Sequence, residues 1–183
     1  MLRQVAPYMP RPQSGRLRGF LAALLIGAAA AAKAEVVVGE PPPDLLGKDR
    51  DGTQVRVSDH RGKVVVISFW ASWCTYCLKE LPALEGIQNA AGSGQLQVVA
   101  VNFKEEPALY RRLLHKLKDA QMTFTHDRTG AIGDGYGLRG LPFLVIVGRD
   151  GRVAYTHAGY GEQTLDRIIE EINDLLSEAA PSA

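Results

Sequence analysis

A run of apolar residues from Val64 to Trp70 is the feature that most constrains the fold of this 183-residue chain. The run is β-branched and aromatic with a single hydroxyl, which predicts a strand in the middle of a sheet that is covered on both faces. Beyond it, apolar residues recur at helical spacing and predict a helix from about Thr75 to Ala90: Leu78, Leu81, Leu84 and Ile87. Cys74 and Cys77 therefore lie where a buried strand turns into a helix.

The next part of the chain repeats the alternation of strand and helix. Leu96 to Phe103 predicts a second buried strand, and Pro107 to Ala120 predicts a second amphipathic helix. Met122 to Thr125 predicts a short strand, and the glycine-rich stretch from 130 to 140 predicts irregular chain. Strands joined through helices pair in parallel with right-handed crossovers, so this part predicts the parallel half of a sheet.

Both ends of the folded part carry hairpin patterns. Phe143 to Val147 and Arg152 to Thr156 flank a Gly-Arg-Asp-Gly turn, and Thr164 to Leu176 predicts a closing helix. Near the other end, Asp49 to Gly52 has turn chemistry ahead of the alternating residues Thr53 to Val57. Together these patterns predict the α/β class, with a central mixed sheet and an N-terminal hairpin.

Charge is unevenly distributed along the sequence. The first 34 residues hold five basic residues and no acidic one, whereas the remainder holds 16 basic and 20 acidic residues. Nucleic-acid binding needs a concentrated basic face, so the mildly acidic body of the chain argues against that class of function.

The N-terminal segment has the pattern of an export signal. A basic stretch precedes the thirteen apolar residues Phe20 to Ala32, and Ala32-Lys33-Ala34 is a small-x-small cleavage site. A membrane span needs roughly twenty residues, so an uncleaved anchor is the second hypothesis. The predicted organisation is a signal peptide at 1–34, a linker at 35–43, one domain at 44–177 and a tail at 178–183. The expected location is periplasmic or otherwise extracytoplasmic, with membrane contact only through an uncleaved N-terminal segment.

The spacing of the two cysteines predicts redox chemistry. Residues three apart at the start of a helix face the same side, and free backbone N–H groups there favour a thiolate over a thiol. We expect Cys74 to be the exposed nucleophile and Cys77, one turn inside the helix, to be the thiol that resolves a mixed disulfide. This exchange needs no bound cofactor beyond the redox-active disulfide itself.

Other hypotheses for the cysteines remain open on the sequence alone. A purely structural bridge over so short a loop would restrain the unfolded chain by only about 2 kcal/mol, and two buried free cysteines are a further possibility. A metal site needs more ligands than two thiolates. A copper-binding assembly chaperone would use Cys74, Cys77 and one histidine, and the four candidates are His60, His115, His126 and His157.

Several further residues carry a family resemblance. Pro82 lies five positions past Cys77, Gly140-Leu141-Pro142-Phe143 opens a late strand, and Gly62-Lys63 precedes the central strand. With the cysteine pair, these residues resemble the thioredoxin superfamily, and within it the exported TlpA-like branch, which includes reductases of cytochrome c maturation. The resemblance implies a three-layer thioredoxin-like fold. It also implies a cis bond between Leu141 and Pro142, which would turn the backbone of Leu141 toward Cys74, where it would pair with an extended substrate.

The sequence departs from the thioredoxin pattern at two places. Many thioredoxins have a buried aspartate six residues before the first cysteine, but Ser68 stands there. Glu80, three residues past Cys77 and thus on nearly the same helix face, is the replacement proton acceptor that we expect; the alternative is an ordinary solvated helix glutamate. Thr75-Tyr76 stands between the cysteines in place of Gly-Pro. This dipeptide helps to set the redox potential, so the direction of electron flow in thioredoxin does not carry over to this chain.

The resemblance also implies the contacts and partners of the site. Trp73 is expected to shield the active sulfur, Trp70 to belong to the core, and Tyr76 either to line the site or to cover the helix start. The implied partners are thiols and disulfides of exported proteins, among them apocytochrome c and copper-assembly proteins, together with a membrane electron donor. A peroxidase of the same fold would need a threonine at the position of Ala71, so the sequence argues against that activity.

Overall fold

A mixed five-stranded sheet forms the centre of the computed structural model, which describes residues 35–179. In chain order the elements are β1 (Leu45–Lys48), β2 (Gln54–Arg56), β3 (Val64–Trp70), α1 (Thr75–Ala91), β4 (Leu96–Phe103), α2 (Pro107–Lys116), β5 (Thr123–Asp127), α3 (Ala131–Gly135), β6 (Phe143–Val147), β7 (Val153–Ala158) and α4 (Glu162–Ser177). The strand order of the sheet is β5-β4-β3-β6-β7. Strands β3, β4 and β5 run parallel to one another, and β6 pairs antiparallel with both of its neighbours, β3 and β7. The predicted α/β class and mixed sheet are confirmed.

The central strand β3 is buried along its whole length and serves two cores. Successive strand residues point to opposite faces, so Val64, Val66 and Trp70 face α1 and α4. Val65, Ile67 and Phe69 face the other layer, which contains β1, β2 and Tyr136. The three layers predicted from the resemblance are therefore present, and Trp70 belongs to the core as expected, at 0% exposure.

The N-terminal hairpin forms a second, two-stranded antiparallel sheet. It is tied to the rest of the domain by the buried Tyr136, whose hydroxyl donates to the carbonyl of Pro43 at 2.6 Å. The segment ahead of the hairpin also contacts the sheet, because Gly39 donates to Val153 at 2.8 Å and Val153 donates to Glu40 at 2.9 Å. Residues 39–40 therefore cover part of the edge strand β7.

Two stretches differ from the sequence prediction. The helix expected to reach Ala120 ends at Lys116, and the backbone N–H of Gln121 instead bonds the Glu85 carboxylate at 2.8 Å. The glycine-rich stretch expected to be irregular contains α3, because the Asp127 carboxylate accepts from the backbone N–H groups of Gly130 at 2.9 Å and Gly133 at 2.8 Å. The Glu85 contact joins residues 36 apart in the sequence, whereas the Asp127 contacts are local.

The predicted signal peptide at 1–34 and the last four tail residues lie outside the described residues. Within the described range 35–179, no helix is both long enough and apolar enough to cross a membrane.

Candidate active site

Cys74 and Cys77 form a disulfide at the junction between β3 and α1. The S–S distance is 2.12 Å and the two Cα atoms are 5.2 Å apart. Cys74 is the N-cap residue of α1, and Cys77 lies within its first turn. Because the pair follows β3, it lies at the end of the sheet where the parallel strands terminate. Since the two cysteines are bonded to each other, the hypothesis of two buried free cysteines is wrong.

The sulfur of Cys74 lies at the positive end of the helix. The backbone N–H of Cys77 donates to this sulfur at 3.2 Å, one of the N–H groups that a helix leaves without a partner in its first turn. An N–H donor and the helix dipole both favour negative charge on this sulfur once the disulfide is reduced. Cys74 is less open than expected, since only 7% of it is exposed, but Cys77 has no exposed surface at all. An incoming thiol or disulfide can therefore approach only Cys74.

Glu80 is a buried residue, and the alternative of a solvated helix glutamate is wrong. It is 1% exposed, and its Oε2 accepts a hydrogen bond of 2.9 Å from the Ser68 hydroxyl. Ser68 belongs to the face of β3 that lies against α1, so the residue that replaces the expected aspartate contacts the glutamate directly. Among the described residues, Oε1 of Glu80 has no hydrogen-bond partner.

Burial changes the proton affinity of Glu80. Loss of solvent raises the pKa of its carboxyl from 4.5 to about 7, and the hydrogen bond from Ser68 opposes this by a smaller amount. A carboxyl that titrates near neutral pH can both accept and return a proton under ordinary conditions, which an exposed glutamate does poorly.

The loop before β6 lies at the same edge of the sheet as the disulfide. Phe69 is paired with Phe143, so the residues that precede β6 lie beside the residues that follow β3. The Leu141–Pro142 peptide bond is cis, as the resemblance implies. Leu141 and Pro142 line an open groove of about 470 Å³, and an exposed ion pair of 3.4 Å between Arg139 and Glu35 lies at this groove.

Three large apolar side chains are exposed around the disulfide. Trp73 is 70% exposed, Tyr76 57% and Leu78 48%. The Tyr76 ring points toward Tyr160, with 6.5 Å between ring centroids. Exposed aromatic residues of this kind are typical of contact surfaces for other proteins.

The histidines do not converge on the cysteines. His157 bonds Glu171 at 2.6 Å, and His126 donates from Nε2 to the carbonyl of Glu105 at 2.8 Å. Within the part of the chain that the structure describes, no three His, Cys, Asp or Glu side chains form a group that could hold a metal ion. The copper hypothesis therefore gains no ligand group from residues 35–179.

Glu105 is an acidic residue beside the site that the sequence pattern did not predict. Glu105 is 5% exposed and accepts hydrogen bonds from Ser72, two residues before Cys74. A signal was present, because Glu105 comes two residues after the end of β4, and the carboxyl ends of parallel neighbours meet at the same end of a sheet.

The fold and the disulfide together define a protein of the thioredoxin superfamily. The family model for redoxin matches residues 37–175. The chain is 29% identical over 121 residues to the thiol-disulfide oxidoreductase ResA of Geobacillus thermodenitrificans, and the alignment covers 66% of this chain and 69% of that protein. It is 32% identical over 123 residues to the thioredoxin-like protein YneN of Bacillus subtilis, covering 66% of this chain and 71% of that protein.

A solved structure supports the same relationship. The crystal structure of a thiol:disulfide interchange protein, DsbE, from Chlorobium tepidum matches with a TM-score of 0.72 and 29% identity, covering 78% of this chain and 100% of that one. The chain belongs to the redoxin family, in the TlpA-like branch of the thioredoxin superfamily, and it is a thiol-disulfide oxidoreductase.

The raised pKa of Glu80 predicts how stability depends on pH. The folded protein holds a proton on Glu80 up to about pH 7, whereas the unfolded chain releases it near 4.5. The contribution to stability is therefore complete below about 4.5 and is lost as the pH rises to about 7. Replacing Glu80 with Gln should remove roughly 3 kcal/mol of this dependence.

The measurement is urea unfolding of the disulfide form at about pH 5 and pH 8. Glu170→Gln, which alters an exposed glutamate of α4, is the matched control and should follow the wild type at both pH values. If Glu80→Gln also keeps the wild-type dependence, the carboxyl does not titrate in the fold as described.

Proposed function

We propose that Cys74 and Cys77 reduce disulfides in exported proteins. The observation that carries the proposal is the position of the Cys74 sulfur at the helix start, 3.2 Å from the backbone nitrogen of Cys77, whose N–H donates to it, while Cys77 itself has no exposed surface. One sulfur is accessible and favoured as a thiolate, and the other is protected from outside reagents. This is the division of labour that dithiol exchange requires.

In the first step of the reaction, the Cys74 thiolate attacks one sulfur of a substrate disulfide. A bond forms between Cys74 and that sulfur, the substrate S–S bond breaks, and the second substrate sulfur leaves as a thiolate. The mixed disulfide holds the substrate beside the Leu141–Pro142 loop, where an extended segment can pair with the backbone of Leu141. Trp73 and Tyr76 supply apolar contact surface on the helix side.

The second step releases the reduced substrate. Glu80 takes the proton of the Cys77 thiol, and the resulting thiolate attacks Cys74 within the mixed disulfide. The bond to the substrate breaks, the substrate sulfur leaves as a thiolate, and the Cys74–Cys77 disulfide forms. Two electrons have passed to the substrate, so a dithiol donor must reduce the pair before another cycle. We further propose that the domain at 44–177 works outside the cytoplasm and receives electrons from a membrane donor protein. Its proposed substrates are exported proteins such as apocytochrome c or copper-assembly proteins.

Serine replacements separate the two sulfurs. Cys74→Ser should abolish turnover in insulin reduction with dithiothreitol, because the remaining thiol, Cys77, has no exposed surface. Cys77→Ser should accumulate mixed disulfides through Cys74, since nothing resolves them. Mass spectrometry of the trapped adducts under non-reducing conditions identifies the partners, with the double serine variant as the control. Wild-type turnover in both single variants would refute the assignment.

Glu80→Gln tests the proton acceptor. A general base must be ionised, so the rate of substrate release by wild type should rise as the pH passes about 7. The variant should release substrate roughly tenfold or more slowly and lose that inflection. Both the rate and its pH inflection can be measured by single-turnover reduction of a small peptide disulfide across pH 5.5 to 8.5, roughly the range in which the Glu80 carboxyl and the cysteine thiols titrate. An unchanged profile would leave Glu80 with only a structural role.

A further inference from the structure

Glu105 forms hydrogen bonds to the loop that precedes Cys74. Oε1 of Glu105 accepts from the backbone N–H of Ser72 at 3.1 Å and also from the Ser72 hydroxyl. Its Oε2 accepts from the side-chain amide of Asn102 at 2.5 Å. Glu105 is 5% exposed, so these bonds are largely protected from water. Bonds to a buried carboxylate are stronger than bonds between neutral groups.

The backbone around Glu105 is fixed as well. Lys104, directly before it, has φ of +54°, and it is the only non-glycine residue in the described range with a positive φ. Such a conformation persists only where surrounding contacts hold it. Lys104 donates to the carbonyl of Asp127 at 2.9 Å, and His126 donates to the carbonyl of Glu105 at 2.8 Å. Contacts from β5 thus fix Glu105 at the end of β4.

Ser72 connects this network to the reactive sulfur. It lies inside a turn in which the backbone N–H of Cys74 bonds the carbonyl of Ala71 at 3.1 Å. With its hydroxyl and its backbone both bonded to Glu105, Ser72 cannot shift without breaking both bonds. Glu105, two residues beyond the neighbouring strand β4, therefore bonds the residue that lies two positions before Cys74.

We propose that Glu105 is a positioning residue of the oxidoreductase, one that holds the Cys74 sulfur at the N-terminus of α1 by fixing Ser72. The proposal rests on the proposed function of Cys74. Displacements of about 1 Å at a reacting group can change rates by two orders of magnitude, so a support of this kind controls reactivity without contacting the substrate.

Glu105→Ala tests the proposal in the reduced protein. The variant leaves the Ser72 donors and the Asn102 amide without their acceptor, so the loop loosens. Alkylation of Cys74 by iodoacetamide should slow about tenfold at neutral pH. The midpoint of its pH dependence should move toward the roughly 8.5 of an ordinary cysteine. Alkylation is measured on protein that circular dichroism shows to be folded, with Cys77→Ser in every background so that a single thiol reacts.

Two further variants serve as controls. Glu105→Gln should restore most of the rate, because its carbonyl can accept from Ser72, and Asn102 can turn its Oδ1, which has no partner among residues 35–179, toward the new amide. Glu106→Gln alters the adjacent exposed glutamate, whose side chain does not cap α2, and should match the wild type.

The outcomes are separable. Folded Glu105→Ala with wild-type alkylation rate and midpoint would overturn the proposal, even if the variant were less stable. If Glu105→Ala does not fold, Ser72→Ala carries the test, because it removes only the hydroxyl bond; it should slow alkylation about threefold, and an unchanged rate overturns the proposal. Thiol alkylation needs no protein substrate, so a failure of disulfide reduction by the wild type would count against the proposed function alone.

Discussion

The contact between the Cys77 backbone N–H and the Cys74 sulfur, 3.2 Å long, is the interaction on which the rest of the site depends. It exists because a buried strand ends at Trp70 and a helix begins at Thr75, so that Cys74 becomes the N-cap residue. A helix start offers N–H groups without partners and a positive dipole end, and a sulfur placed there gains from its own ionisation. The core on both faces of β3 holds this junction in place.

Two buried carboxylates flank the disulfide and differ in what they contact. Glu80 lies on the α1 side with one oxygen bonded to Ser68, and its other oxygen has no hydrogen-bond partner within residues 35–179, which suits the proton exchange that we propose for it. Both oxygens of Glu105 are engaged by Ser72 and Asn102, which suits a group that holds a loop rather than one that moves protons. The same residue type thus has two different proposed roles, because its surroundings differ.

Much of the fold could be predicted from the sequence because its strongest signals are local. The apolar run of β3, the helical spacing of α1 and the cysteine positions depend on neighbouring residues, and the structure contains all three. The bond that Gln121 makes beyond the end of α2 is to Glu85, 36 residues away, which no local pattern indicates. The start of α3 depends on backbone N–H bonds to the Asp127 carboxylate, which the residue type alone does not predict. The burial of Glu80 could be anticipated from its helix face, but its bond to Ser68 and the role of Glu105 required the packing of strands and helix.

The most direct test is the pH dependence of Cys74 alkylation in the reduced protein, with Cys77 replaced by serine. We expect a midpoint well below the roughly 8.5 of an unperturbed cysteine, because the helix N-terminus and its N–H donor favour the thiolate. A midpoint at or above that value would show that the position of the sulfur gives it no acidity, and the proposed reaction would lose its nucleophile.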